Sequence, residues 1–108
     1  IITGVSEAAT AEALMRSRYV AFVRRDEPYL LKSWHADTRP SRVRFADDQQ
    51  WIGLTIKSTE SGGVNDSVGR VRFVARYKIA GKGFRIKEFS RFTRVDDCWQ
   101  YIDGEHEE

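Results

Sequence analysis

The chain has 108 residues, a formal charge of +2 and 41% hydrophobic residues, which is enough for one domain with its own core. Its single cysteine excludes an internal disulfide and a zinc site built from several thiolates, and it favours a reducing compartment. No stretch approaches the length of a membrane span, and the N-terminus lacks the pattern of a signal peptide. We therefore expect a soluble cytoplasmic protein with no membrane partner.

The first half of the chain predicts helices. Residues 1–9 carry no periodic pattern and are expected to be a disordered or trimmed tail. Thr10 offers a helix N-cap, and apolar residues then recur at three-and-four spacing for about four turns. Asp26 can cap a second helix with Pro28 in its first turn, so a tight helical hairpin is expected. Residues 35–50 are polar and predict a connection with at most a short strand at 43–45.

From residue 51 the apolar period changes to two, which indicates strands. Residues 58–69 are rich in glycine, serine, asparagine and aspartate and predict a mobile loop. A strand over 69–79 follows, then a turn at 81–82, a strand over 84–94, a turn at 96–97 and a last strand over 98–103. Helices followed by an antiparallel meander predict the α+β class.

The two turns set the expected strand register. Two-residue loops at 81–82 and 96–97 place Glu88 in an apolar row that points towards the core. A loop longer by one residue at 96–97 would turn the last strand over. The expected cross-strand pairs are Ala75 with Glu88, Phe73 with Ser90, Phe92 with Tyr101, and Ser90 with Asp103.

An inward Glu88 has two interpretations. It is either a perturbed acid in a ligand site, or a structural acid satisfied by a tyrosine hydroxyl, a backbone N–H or an arginine. The same alternatives apply to Ser90 and Asp103. His35, at the end of the second helix, is either a general base or a residue that complements the helix dipole.

The three tryptophans, Trp34, Trp51 and Trp99, either line a cavity or fill the core. No catalytic residue is assigned. The candidates for lining a cavity are Tyr19, Trp34, His35, Phe73, Ala75, Glu88, Ser90, Phe92, Trp99, Tyr101 and Asp103.

Other signals are weaker. A basic stripe on the opposite sheet face either touches phosphates or is solvated, and it has no aromatic ladder beside it, so nucleic acid is not favoured as a partner. Cys98 is flanked by acids and is not favoured as a nucleophile. With one cysteine and two separated histidines, we expect no metal and no cofactor. The stripe comprises Arg70, Arg72, Arg76, Lys78, Arg85, Lys87 and Arg91.

Six motifs, in this order and spacing, resemble the YchJ-like family of uncharacterised bacterial proteins. They span about residues 9–104, nearly the whole chain. The motifs are ALMRSRYVAF at 13–22, YLLKSWHADTRP at 29–40, the stretch 51–54, GRVRFVARY at 69–77, EFSRF at 88–92 and WQYIDG at 99–104.

The resemblance implies a cone similar to nuclear transport factor 2 (NTF2), also called cystatin-like, with N-terminal helices packed on a curved antiparallel sheet. It implies a single domain over 10–104, followed by an acidic tail at 105–108. Family members commonly carry a zinc-binding SEC-C motif before this domain and often another after it, whereas residues 1–8 here read IITGVSEA. From the resemblance we therefore expect that the zinc modules were either trimmed from this sequence or lost.

Three functions follow from these expectations. The first is a small-molecule-binding or accessory domain, in which Glu88, Ser90 and Tyr101 orient a ligand between helices and sheet. The second is an interaction module of a SEC-C-type protein, with homodimerisation through the sheet. The third is a cavity enzyme that uses Glu88, Asp103 or His35 as acid or base. The resemblance itself supplies no activity.

Overall fold

A computed structural model describes residues 8–107 and confirms the α+β class. Two helices, α1 (Ala11–Arg24) and α2 (Glu27–Lys32), precede four strands. The strands are β1 (Gln49–Ser61), β2 (Val68–Ile79), β3 (Lys82–Val95) and β4 (Cys98–His106). They form one antiparallel sheet in the order β1-β2-β3-β4. Residues 1–7 of the predicted tail and residue 108 lie outside the described residues.

The predicted helical hairpin is confirmed. The Thr10 hydroxyl accepts a hydrogen bond from the Ala13 N–H at 3.0 Å, and the Asp26 carboxylate accepts one from the Tyr29 N–H at 3.1 Å. Each cap satisfies a backbone donor that the first helical turn leaves free. Arg25, with a left-handed φ of 56°, ends α1 and reverses the chain. In the described part of the chain, no helix has both the length and the apolar character needed to span a bilayer.

The main core lies where α1 crosses the concave face of the sheet. Leu14 and Met15 of α1 pack there against buried side chains of β2, β3 and β4. The strand residues of this core are Val71, Phe73, Ala75, Phe92 and Trp99. A second, smaller cluster joins Ala21 of α1 to α2, and Val43 and Phe45 pack on it. Residues 43–45 form no strand, and they serve instead to cover this cluster.

The expected register between β2 and β3 is wrong by two residues. Glu88 pairs with Phe73, not with Ala75, and Ala75 pairs with Ile86. The reason is the turn, which uses Ala80 and Gly81 at φ 52° and 80°. A turn of this kind needs positive φ at both positions, and placing it at 80–81 leaves the next residue, Lys82, in the strand. A shift of two residues preserves the faces, so Glu88 still points to the concave side.

The register between β3 and β4 is confirmed at its start and wrong at its end. Phe92 pairs with Tyr101 as expected, across a two-residue turn in which both aspartates have positive φ. Beyond Phe92 the register shifts by one residue, so that Ser90 pairs with Gly104 and Asp103 pairs with Arg91. The extra residue turns Asp103 to the outer face of the sheet.

Strands β1 and β4 are both longer than predicted. β4 continues to His106, so residues 105 and 106 of the predicted acidic tail pair with β3. β1 continues to Ser61, which shortens the predicted loop of 58–69 to residues 62–67. At the end of that loop, Gly62 and Gly69 lie against each other and against Ala11, the first residue of α1.

Replacing Gly69 with alanine should destabilise the fold, because a Cβ there would overlap the backbone of Gly62 and press on Ala11. We expect Gly69→Ala to lose about 1 to 3 kcal/mol of unfolding free energy in chemical denaturation, as overpacked sites do. Gly83→Ala is the matched control, since a Cβ at Gly83 meets nothing within 4 Å. Equal stability of the two variants would contradict this packing.

Candidate functional site

A cavity of about 310 Å³ lies between α1 and the concave face of the sheet. Its apolar wall is formed by side chains from the helix and from three strands: Met15, Phe22, Trp51, Phe73, Ala75 and Ile86. Its polar lining includes Arg18, Gln49, Glu88, Ser90 and Tyr101. The size falls at the lower end of the range typical of small-molecule sites.

The structure places most of the predicted lining residues around this cavity. Glu88 and Ser90 reach it from β3, because their row faces the concave side. Trp34 reaches it because the segment after α2 pairs with β4 at Tyr101. The predicted residues that line the cavity are Tyr19, Trp34, Phe73, Ala75, Glu88, Ser90 and Tyr101.

Four predicted lining residues lie elsewhere. Phe92 and Trp99 are buried in the main core, with 1% and 0% exposure, and do not line the cavity. Asp103 points to the outer face because of the register shift in β4, and there its carboxylate accepts two hydrogen bonds from Arg91. The His35 imidazole accepts the N–H of Asp37 through Nδ1, outside the cavity.

Arg18 is the functional candidate that sequence reasoning missed. It lies four residues after Leu14 and four before Phe22, which is the spacing of the buried helix face, although its charge suggests solvent. The side chain is only 3% exposed. Its Nη1 donates to the Leu30 carbonyl at 2.9 Å and to the Ser33 hydroxyl at 2.5 Å, and no described residue accepts from Nε or Nη2.

Two aromatic rings hold the Arg18 guanidinium. Its Cζ lies 4.5 Å from the centroid of the Tyr101 ring and 4.9 Å from that of Trp34, within range of a cation–π attraction. Burial lowers the pKa of Arg18 to about 10, against the opposing influence of Tyr101, Tyr29 and Glu88. The guanidinium therefore remains charged at neutral pH. No described carboxylate lies within ion-pair distance of it.

Glu88 is the anionic partner across the cavity. Its side chain is 14% exposed, and its Oε2 accepts hydrogen bonds from the Ser90 hydroxyl at 2.6 Å and the Tyr101 hydroxyl at 3.2 Å. Burial, reinforced by the Glu88 carboxylate, raises the pKa of Tyr101 well above its usual value. The phenol therefore stays neutral and keeps its proton for Glu88.

Two residues of β4 flank this carboxylate. A Cβ at Gly104 would overlap the Glu88 side chain, so glycine is what lets the carboxylate lie across the strand. His106 places its Nε2 3.9 Å from Glu88 Oε1. The register shift thus turns Asp103 away and brings a glycine under the acid.

The outer face of the sheet has a different character. Its basic stripe is partly neutralised, because Arg72 bonds Glu107 at 2.9 Å and Arg91 bonds Asp103 at 2.7 Å. The Phe89 ring lies under the Arg72 guanidinium at 4.3 Å. Among residues 8–107, no group of three or more histidine, cysteine, aspartate or glutamate side chains is placed to hold a metal ion.

A helix crossing the concave face of a four-stranded antiparallel sheet, with a cavity between them, defines an NTF2-like α+β domain. The chain matches the family model described as "YchJ, middle NTF2-like domain" over residues 10–104. It therefore belongs to the YchJ middle-domain family, as the six sequence motifs implied.

The chain is similar to curated relatives that carry the name UPF0225 protein, including the following two. The one from Streptomyces avermitilis is 48% identical over 103 residues, which cover 95% of this chain and 71% of the relative. The one from Chromobacterium violaceum is 48% identical over 102 residues, which cover 92% of this chain and 76% of the relative. The chain thus corresponds to most, but not all, of each relative.

Two solved structures share the fold. A SEC-C motif containing protein from Rhodopseudomonas palustris is 27% identical, with a TM-score of 0.79 over 94% of this chain and 81% of that one. A SEC-C motif containing protein from Psychrobacter arcticus is 25% identical, with a TM-score of 0.71 over 89% of this chain and 60% of that one.

The hydrogen bonds at Glu88 make a prediction for its substitution. Glu88→Gln retains an acceptor for both hydroxyls and should lose about 1 kcal/mol of unfolding free energy, the difference between charged and neutral hydrogen bonds. Glu88→Leu leaves the Ser90 and Tyr101 hydroxyls unpaired and should lose about 2 to 3 kcal/mol. Urea denaturation measures both values.

Glu105→Leu, an exposed site one strand away, is the matched control and should change stability little. A Glu88→Leu variant as stable as the wild type would show that the hydroxyls do not depend on this acid.

Proposed function

We propose that this domain binds a small, mostly apolar molecule in the cavity between α1 and the sheet. The observation that carries the proposal is the buried Arg18, which keeps its charge beside an unfilled cavity with Nε and Nη2 unbonded to any described residue. A buried guanidinium whose donors are left without acceptors is costly to a fold that needs only a packed core. A ligand that accepts hydrogen bonds from Arg18 would satisfy these donors and offset that cost.

The composition of the wall supports the same proposal. Aromatic rings meet around the cavity, with the Tyr19 and Trp51 centroids 6.0 Å apart and those of Trp34 and Tyr101 5.1 Å apart. An apolar, aromatic wall with a few convergent polar groups is the usual make-up of a small-molecule site. Glu88, Ser90 and Tyr101 would then orient the ligand at the polar side.

Binding is favoured over acid–base catalysis by the placement of the candidate acids and bases. Of Glu88, Asp103 and His35, only Glu88 lines the cavity. General acid–base chemistry usually needs a second titrating group within reach of the same substrate, and Tyr101 is held neutral. We therefore infer a binding or accessory role, and the SEC-C names of the solved neighbours suggest that such a domain serves a larger protein.

Filling the cavity should weaken binding without unfolding the domain. Ala75 lines the cavity and is only 4% exposed, so Ala75→Leu places three further carbons there. Aromatic fragments such as phenol and indole, titrated while heteronuclear NMR is recorded, should shift signals of Tyr19 and Trp51 in the wild type. We expect Ala75→Leu to weaken binding by at least about tenfold, equivalent to 1.4 kcal/mol.

Ala13→Leu, at an exposed position on α1, is the control for added bulk and should bind like the wild type. Wild-type protein that shows no shifts at Tyr19 and Trp51 with any fragment would overturn the proposed function. Equal binding by Ala75→Leu would place the site elsewhere.

A further inference from the structure

The polar side of the cavity balances its own charge. Arg18 contributes one positive charge and Glu88 one negative charge, and both contact the same residue. The Arg18 Cζ lies 4.5 Å from the Tyr101 ring centroid, and the Tyr101 hydroxyl lies 3.2 Å from Glu88 Oε2. A ligand with a net charge would leave one of the three charges without compensation in a poorly solvated site.

The unused hydrogen-bonding groups require both a donor and an acceptor from the ligand. Arg18 has only donors to offer, at Nε and Nη2, because its Nη1 is already bonded to Leu30 and Ser33. The Tyr101 hydroxyl donates its proton to Glu88, so it offers its lone pairs to a ligand, whereas Ser90 is fully buried and donates to Glu88. Glu88 Oε1 lies 3.9 Å from His106 Nε2, accepts no hydrogen bond from a described residue and offers a further acceptor.

The shape of the cavity favours a planar ring. Its wall includes Tyr19, Phe22, Trp51 and Phe73, and neighbouring rings meet edge to face or tilted, as Tyr19 and Phe22 do on Trp51. Such walls hold an aromatic ring through the same edge and face contacts. A volume of about 310 Å³ is enough for one or two fused rings.

We infer that the ligand is a neutral aromatic carboxamide, or a heterocycle with an equivalent amide edge. Its carbonyl oxygen accepts from the free donors of Arg18, and its N–H donates to the Tyr101 hydroxyl or to Glu88 Oε1. The ring lies against the aromatic wall. This inference rests on the proposed function and adds the chemical class of the ligand.

Three compounds of nearly the same shape test the inference. Benzamide is neutral, benzoate carries a negative charge and benzylamine carries a positive charge. In NMR titrations of the wild-type protein, benzamide should bind at least about tenfold more tightly than either charged compound, since neither can satisfy both sides of the site.

Two variants should change which of the three compounds the protein prefers. Glu88→Gln leaves Arg18 as the net charge, so benzoate should gain at least about tenfold relative to benzamide. Arg18→Met leaves Glu88, so benzylamine should gain relative to benzamide. Arg24→Met, an exposed arginine on the same helix, is the control and should keep the wild-type order.

The outcomes distinguish an error in the ligand class from an error in the proposed function. If benzoate or benzylamine binds the wild type most tightly, or if Glu88→Gln and Arg18→Met keep the wild-type order, the amide class is wrong while a ligand cavity stands. If none of the three compounds binds and phenol and indole do not bind either, both the class and the proposed function are wrong.

Discussion

Arg18 places a positive charge where α1, α2 and β4 meet, and the groups around it compensate for that charge. Its hydrogen bonds to Leu30 and Ser33 hold the end of α2 against α1. Its guanidinium lies against the rings of both Trp34 and Tyr101, which joins the helices to β4. The backbone repeats this connection, because the N–H of His35 donates to the Tyr101 carbonyl at 2.7 Å. Together with the packing of Leu14 and Met15 in the main core, the cation fixes how the helical hairpin sits on the sheet.

A buried cation also determines what the neighbouring space contains. Packing apolar side chains against every side of a guanidinium would strand its remaining N–H groups without partners, at a cost of about 1 to 3 kcal/mol for each. The fold leaves a cavity on that side and places a carboxylate across it. The irregularity in β4 makes this arrangement feasible, because it removes Asp103 from the concave face and puts Gly104 beneath Glu88. Glu88 and Arg18 then line the same cavity.

The sequence predicted the elements well because their signals are local. Thr10 and Asp26 cap the helices through their own side chains, and the change of apolar period at residue 51 marks the sheet. The register was harder, since turns at 80–81 and 81–82 differ only in which residues adopt positive φ. The register shift between Arg91 and Phe92 depends on pairing between strands, and no local sequence pattern indicates it.

The candidate site was predictable in outline and not in its main charge. Glu88 was placed correctly on the concave face because a register error of two residues preserves the face. Asp103 was misplaced because an error of one residue does not. Arg18 was overlooked because its residue type suggested solvent, although its spacing from Leu14 put it on the buried helix face.

The packing of the helices and the proposed site both depend on Arg18 being a buried and charged group that faces the cavity. Exchange of arginine Nε–H protons with solvent, followed by heteronuclear NMR, measures this directly. We predict that the Arg18 Nε–H exchanges at least about tenfold more slowly than that of the exposed Arg24, because it is shielded from solvent, and that it remains protonated to about pH 9. An Arg18 Nε–H that exchanges as fast as that of Arg24 would contradict the account.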